Sequence, residues 1–115
     1  MSEDKRRYPR ADLAFELSYA VSGPGNKSRA RDLSEGGISF MTAEELPPNA
    51  NLVVQLALPG ADGHVEATAR VIRSWRDNQG QLFAAAKFVE VDEVDLGIIK
   101  RFIEMQLMEQ NQEKP

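Results

Sequence analysis

Apolar and polar residues alternate cleanly over 11–21 and again from Val65 to Val71, and from Asp92 a helical period replaces that period of two. From Ala11 to Val21 the residues Leu13, Phe15, Leu17, Tyr19 and Val21 share one face, with Asp12, Glu16 and Ser18 on the other. That is the signature of a half-buried strand. Further strands are expected at 28–34, 37–42, 51–58, 64–76 and 81–91. They are separated by turn clusters such as Ser22-Gly23-Pro24-Gly25-Asn26, Pro59-Gly60-Ala61-Asp62-Gly63 and Asp77-Asn78-Gln79-Gly80. In the fifth strand Val65, Ala67, Ala69 and Val71 keep to one face until Ile72 breaks the alternation, which predicts a bulge or twist there. Two adjacent glycines, Gly36 and Gly37, are expected to give positive φ at a tight connection.

Asp92 reads as a helix N-cap, with Glu93 and Asp95 in the first turn. Leu96, Ile99, Ile103 and Leu107, with Phe102 alongside, form a stripe at helical spacing. The helix is expected over about 92–110. Six short antiparallel strands and a terminal helix predict a mainly β fold, a six-stranded barrel whose open end the helix covers. Residues 1–10 read as a flexible basic arm, since Pro9 opposes a helix there, and 11–115 as one domain.

A chain of 115 residues can bury one modest core. With no cysteine, disulfides and thiolate metal sites are excluded. A charged start, Met1-Ser2-Glu3-Asp4-Lys5, does not resemble a signal peptide, and no apolar run approaches the ~20 residues of a membrane span. The expected location is the cytoplasm, without membrane insertion. The net charge of −4 argues against a general nucleic-acid binder. The charge is uneven, however. Residues 1–31 hold Lys5, Arg6, Arg7, Arg10, Lys27, Arg29 and Arg31 against Glu3, Asp4, Asp12 and Glu16, while the remainder is strongly acidic. A basic patch on an acidic body suits a compact anion better than a long polyanion.

Two short stretches concentrate the chemistry: Lys5-Arg6-Arg7-Tyr8-Pro9-Arg10 and Asp32-Leu33-Ser34-Glu35-Gly36-Gly37. Guanidinium groups give bidentate donors to phosphate and to guanine O6/N7, and flat faces on which a purine stacks. A carboxylate accepts from guanine N–H donors, and glycine lets a ligand approach the backbone. Asp32 and Ser34 lie two apart, so on a strand they share a face; their plainer reading is turn chemistry with neighbouring backbone.

At these residues the chain resembles the PilZ domain family, bacterial receptors for the second messenger cyclic di-GMP. Arg6-x-x-x-Arg10 matches the family's RxxxR motif and Asp32-x-Ser34-x-x-Gly37 its (D/N)xSxxG motif, with Asp32 following Arg10 by 22 residues. The resemblance implies a six-stranded barrel and a cyclic di-GMP site formed by Arg6, Arg10, Asp32, Ser34 and Gly37. Lys5, Arg7, Gly36 and Trp75 are secondary candidates, Trp75 either as core or as a wall for a guanine. Lys5 departs from the arginine that many members carry immediately before RxxxR, a position associated with binding one nucleotide or a stacked pair. Lysine keeps the charge but loses the planar fork. Ala85-Ala86-Lys87-Phe88 is a weaker echo of the family's Gly-x-x-Phe, with Ala85 in place of glycine.

Catalysis finds little support. His64 is the sole histidine, begins a strand after a turn, and is expected to face solvent. A Ser34–His64–Asp32 triad fails because Asp32 and Ser34 on one strand face leave no room for the imidazole between them. The expected function is therefore non-enzymatic, with no cofactor and no metal: a receptor, monomer or weak dimer, whose arm orders on cyclic di-GMP and signals to a downstream protein. The alternative is an adaptor of the same fold that binds protein and not nucleotide. A single-strand nucleic-acid binder would need an aromatic-lined basic groove, for which two tyrosines and one tryptophan provide little.

Overall fold

The structure, a computed structural model, describes residues 15–21, 25–61 and 63–113, with side chains to Met108. Six strands are followed by one helix: β1 (Glu16–Ala20), β2 (Asn26–Leu33), β3 (Gly37–Met41), β4 (Asn51–Leu56), β5 (Val65–Arg76), β6 (Leu82–Val91) and α1 (Glu93–Glu113). The strands close into an antiparallel barrel in the order β1-β2-β3-β6-β5-β4, with β4 returning to β1. Closure leaves no unpaired sheet edge, which is how a strand-rich domain of this size hides its backbone polar groups. The mainly β barrel with a C-terminal helix is thus the fold that the alternation predicts.

Period two becomes inside and outside. In β4, Leu52, Val54 and Leu56 are buried while Asn51, Val53 and Gln55 are exposed. In β5, Val65, Ala67, Ala69 and Val71 line the interior, as their spacing predicts. Large and small residues are matched across strands: Phe40, fully buried, pairs with Ala84, and its ring lies 5.0 Å from that of Tyr19. At the end of β1 the expectation fails. Val21 is 55% exposed, because the strand stops at Ala20 and the inward parity lapses with it.

The switch of period at Asp92 is realised as an N-cap. The Asp92 carboxylate accepts from the Val94 N–H at 3.1 Å, and the Asp92 carbonyl accepts from the Leu96 N–H at 2.8 Å. Glu93 and Asp95 occupy the first turn, where the helix dipole favours negative charge. Asp95 also accepts from the Glu66 N–H at 3.2 Å, which ties the start of α1 to the start of β5. Beyond the cap, Ile99 and Phe102 enter the barrel core, and Phe102 meets Phe15 edge-on with ring centroids 5.8 Å apart. Ile98 and Ile103 flank them, partly buried. Because the cap both satisfies an orphan N–H and fixes where the helix starts, Asp92→Ala is expected to cost about 1 kcal/mol. A thermal melt should show the midpoint lowered by a few degrees with the barrel intact.

Candidate functional site

The outer face of β2 carries the site because its ladder is irregular. β2 pairs Ala30 with Phe40 and Asp32 with Ser39, so Arg31 is the extra residue of a β-bulge. In a regular ladder Asp32 would face Ile38 and point toward the core. With the bulge it faces Ser39 on the outside, and the Ser39 hydroxyl donates to its carboxylate at 3.2 Å. Arg31 Nε lies 3.9 Å from the same carboxylate oxygen, with both side chains partly open to solvent. The guanidinium of Arg31 reaches across the sheet to sit 5.0 Å from the ring centroid of Phe83 on β6. A carboxylate, a hydroxyl and a guanidinium therefore meet on one outer patch.

Ser34 closes the connection from β2 to β3. Its backbone N–H donates to the Gly37 carbonyl at 2.9 Å, and its side-chain oxygen accepts from the Gly36 N–H at 3.2 Å. The hydroxyl thus performs turn chemistry, one residue beyond the end of β2. The two glycines behave differently from the expectation. Neither has a positive φ; among the described residues those conformations belong to Asn49, Gly60, Gly63 and Gly80. Gly37 is required by close approach instead. It pairs with Lys87, and a Cβ there would collide with the Ala86 carbonyl oxygen and lie 3.2 Å from the Lys87 Cα. At Gly36 a Cβ would meet nothing within 4 Å, so the turn presents bare backbone outward; the Gly36 carbonyl accepts from the Phe88 N–H at 2.9 Å.

Trp75 lies outside the core cluster. It pairs with Phe83 across β5 and β6, the two rings stacking at 5.7 Å with planes 22° apart. The Arg73 guanidinium sits 4.4 Å from the Trp75 centroid. Trp75 is therefore half-buried on the barrel's outside, between the two roles expected of it, in a chain of stacked groups that runs Arg31, Phe83, Trp75, Arg73. His64 is exposed, as its position after a turn predicts. Among the described residues no cluster of three His, Cys, Asp or Glu could hold a metal ion, and no helix is long and apolar enough to cross a membrane.

Of the residues singled out from the sequence, Asp32, Ser34, Gly36 and Gly37 are brought together at the β2–β3 connection. Trp75 stands on the same outer side, two strands from β3 by way of β6. Lys5, Arg6, Arg7 and Arg10 lie outside the described residues. Two side chains at the patch, Arg31 and Ser39, have no place in the motif reading. Arg31 had a signal: Ala30 and Leu33 are the apolar residues of β2 that pack toward the core, and an odd separation of three cannot occur on one face of a regular strand.

The family model for the PilZ domain matches residues 4–105. Comparison with curated protein sequences finds no match. Among solved structures the chain is similar to the Bacillus subtilis inhibitor of motility MotI/DgrA, with a TM-score of 0.77 and 16% identity over 98% of this chain and 55% of that one. It is similar to the K. pneumonia MrkH–c-di-GMP complex, with a TM-score of 0.73 and 18% identity over 97% of this chain and 57% of that one. It is also similar to YcgR in complex with c-di-GMP from Escherichia coli, with a TM-score of 0.73 and 20% identity over 94% of this chain and 48% of that one. The chain spans about half the length of each of these proteins. A match across nearly the whole sequence, on a barrel of the same architecture, makes this chain a member of the PilZ domain family.

Proposed function

We propose that this chain is a receptor for cyclic di-GMP, which it holds between the basic arm and the outer face of β2 and β3. The observation that carries the reading is the bulge at Arg31, which turns the Asp32 carboxylate outward beside the Ser34–Gly37 turn. An acceptor there suits the ring and exocyclic N–H donors of a guanine. Bare backbone at Gly36 allows a flat ring to approach. Arg6 and Arg10 supply the complementary charge, two guanidiniums four residues apart facing a ligand with two phosphodiesters. MrkH and YcgR, which share this fold, have been solved with c-di-GMP bound.

Binding neutralises the arm's cations and orders the arm across the barrel, a segment-ordering switch that changes the surface seen by a downstream protein. The role is one of recognition, without a chemical step, in the cytoplasm. Lys5, lacking a planar stacking face, sets how many nucleotides bind.

Ligand that binds the folded state alone raises its stability by mass action, about 2.7 kcal/mol at a hundredfold excess over Kd. The melting midpoint should therefore rise with cyclic di-GMP and stay unchanged with GTP or cyclic GMP. An equal rise with all three would reduce the site to a nonspecific anion patch. No rise with any would leave the protein-binding adaptor as the better reading.

A further inference from the structure

A further bulge of the barrel sits in β5, and it does to Arg73 what the bulge in β2 does to Asp32. β5 pairs Val71 with Ala86 and Arg73 with Ala85, leaving Ile72 as the extra residue. Without that bulge Arg73 would face Ala84, whose side chain is fully buried in the core. With it, Arg73 stands outside, and one cross-strand row runs Asp32, Ser39, Ala85, Arg73 over β2, β3, β6 and β5. At strand spacings of about 4.8 Å the two charged residues are roughly 14 Å apart along the row. Between them lie Ser39, buried at 8% exposure, and the half-buried Ala85, with a carboxylate at one end of the row and a guanidinium at the other.

Arg73 is held ready rather than loose. Its guanidinium packs on Trp75, which in turn stacks on Phe83, so the planar group gives up little conformational freedom when it takes a ligand. The side chain is exposed, and no carboxylate among the described residues lies within ion-pair distance of it. A bulge that re-aims one cation onto the row that already carries Asp32 is a positioning device, of the kind that bulges provide beside binding sites.

We propose that Arg73 is a further ligand-binding residue, taking a phosphodiester of the cyclic dinucleotide at the end of this row away from Asp32. The inference rests on the reading of the chain as a cyclic di-GMP receptor. It implies that the ligand spans four strands, with the row's small residues beneath it and Trp75 at its margin.

Trp75 is the single tryptophan of the sequence, so its emission reports directly on this end of the site. Titrating the full chain with cyclic di-GMP should change that emission saturably. Arg73→Ala should weaken binding at least tenfold, and Arg73→Lys, which keeps the charge but loses the stacked planar fork, should fall between. Arg101→Ala removes the same charge from α1 and should stay within twofold of the natural chain. Circular dichroism melts establish that each variant is folded. If the natural chain binds and Arg73→Ala binds within twofold of it, the assignment of Arg73 is wrong while the receptor reading stands. Equal losses for Arg73→Ala and Arg101→Ala would also overturn it, since a diffuse field would then suffice. A natural chain that shows no binding removes both.

Discussion

Arg10→Ala is expected to reduce cyclic di-GMP affinity by about 100-fold or more, to the edge of detection in calorimetry. The side chain closes the RxxxR motif, next to the strand that carries the barrel's first apolar alternation. A guanidinium that forks onto a phosphate makes two charge-assisted hydrogen bonds, and losing such a pair costs about 3 kcal/mol. At 25 °C that is roughly two decades in Kd. Arg10→Lys should fall between, because charge remains and the fork does not. The melting midpoint of the free chain should not move, which separates loss of a ligand contact from loss of the fold. Affinity retained by Arg10→Ala would mean that the site is built without the arm.

Gly37→Val is expected to act on stability and not primarily on recognition. β3 and β6 approach so closely at the Gly37–Lys87 pair that an added Cβ runs into the Ala86 carbonyl oxygen. The obstacle is backbone within a closed barrel, so relief requires two strands to part. Overpacking costs of about 1–3 kcal/mol are ordinary, and this position should lie at or beyond the upper end. The thermal midpoint should drop by roughly 10 °C. Gly36→Ala is the control one residue away: open space surrounds its Cβ and its φ is not positive, so its effect on stability should stay within about 0.5 kcal/mol. Where Gly36→Ala weakens binding on a stable barrel, it reports the close approach of ligand to the turn.

The two glycines show where sequence reasoning reached its limit. Gly37 belongs to the motif, and turn chemistry was the natural local reason for it, yet the requirement comes from β6, fifty residues away in the chain. No local pattern carries that information. The strands themselves were legible because each is half-buried, so the period of two survives in β4 and β5 almost without exception. The bulge at Ile72 was legible for the same reason, as a break in an otherwise clean alternation. The bulge at Arg31 was harder, because β2 has few apolar residues to set the period and its evidence reduces to the odd spacing of Ala30 and Leu33. Val21 continued the pattern of β1 in sequence but not in space, since parity means nothing past the last paired residue.

Trp75 illustrates a different gap. An aromatic residue in a strand invites a choice between core and ligand wall, and periodicity decides it only if the register is known. The bulge at Ile72 shifts that register, so Trp75 joins Arg73 and Phe83 on the outside while Ser74 turns inward to hold the backbone of Leu46. The outer stack is an outcome of one inserted residue. The charged residues of the outer row, Asp32 and Arg73, likewise owe their exposure to single insertions in two different strands.

Isothermal titration calorimetry of the chain with cyclic di-GMP decides whether the outer face of β2 and β3 holds a nucleotide. A saturable heat with micromolar or tighter affinity is the expected result, and its stoichiometry reads out whether Lys5 permits one nucleotide or a stacked pair. A flat trace at high ligand concentration would contradict the account and leave the outer face of β2 and β3 as a surface for a protein partner.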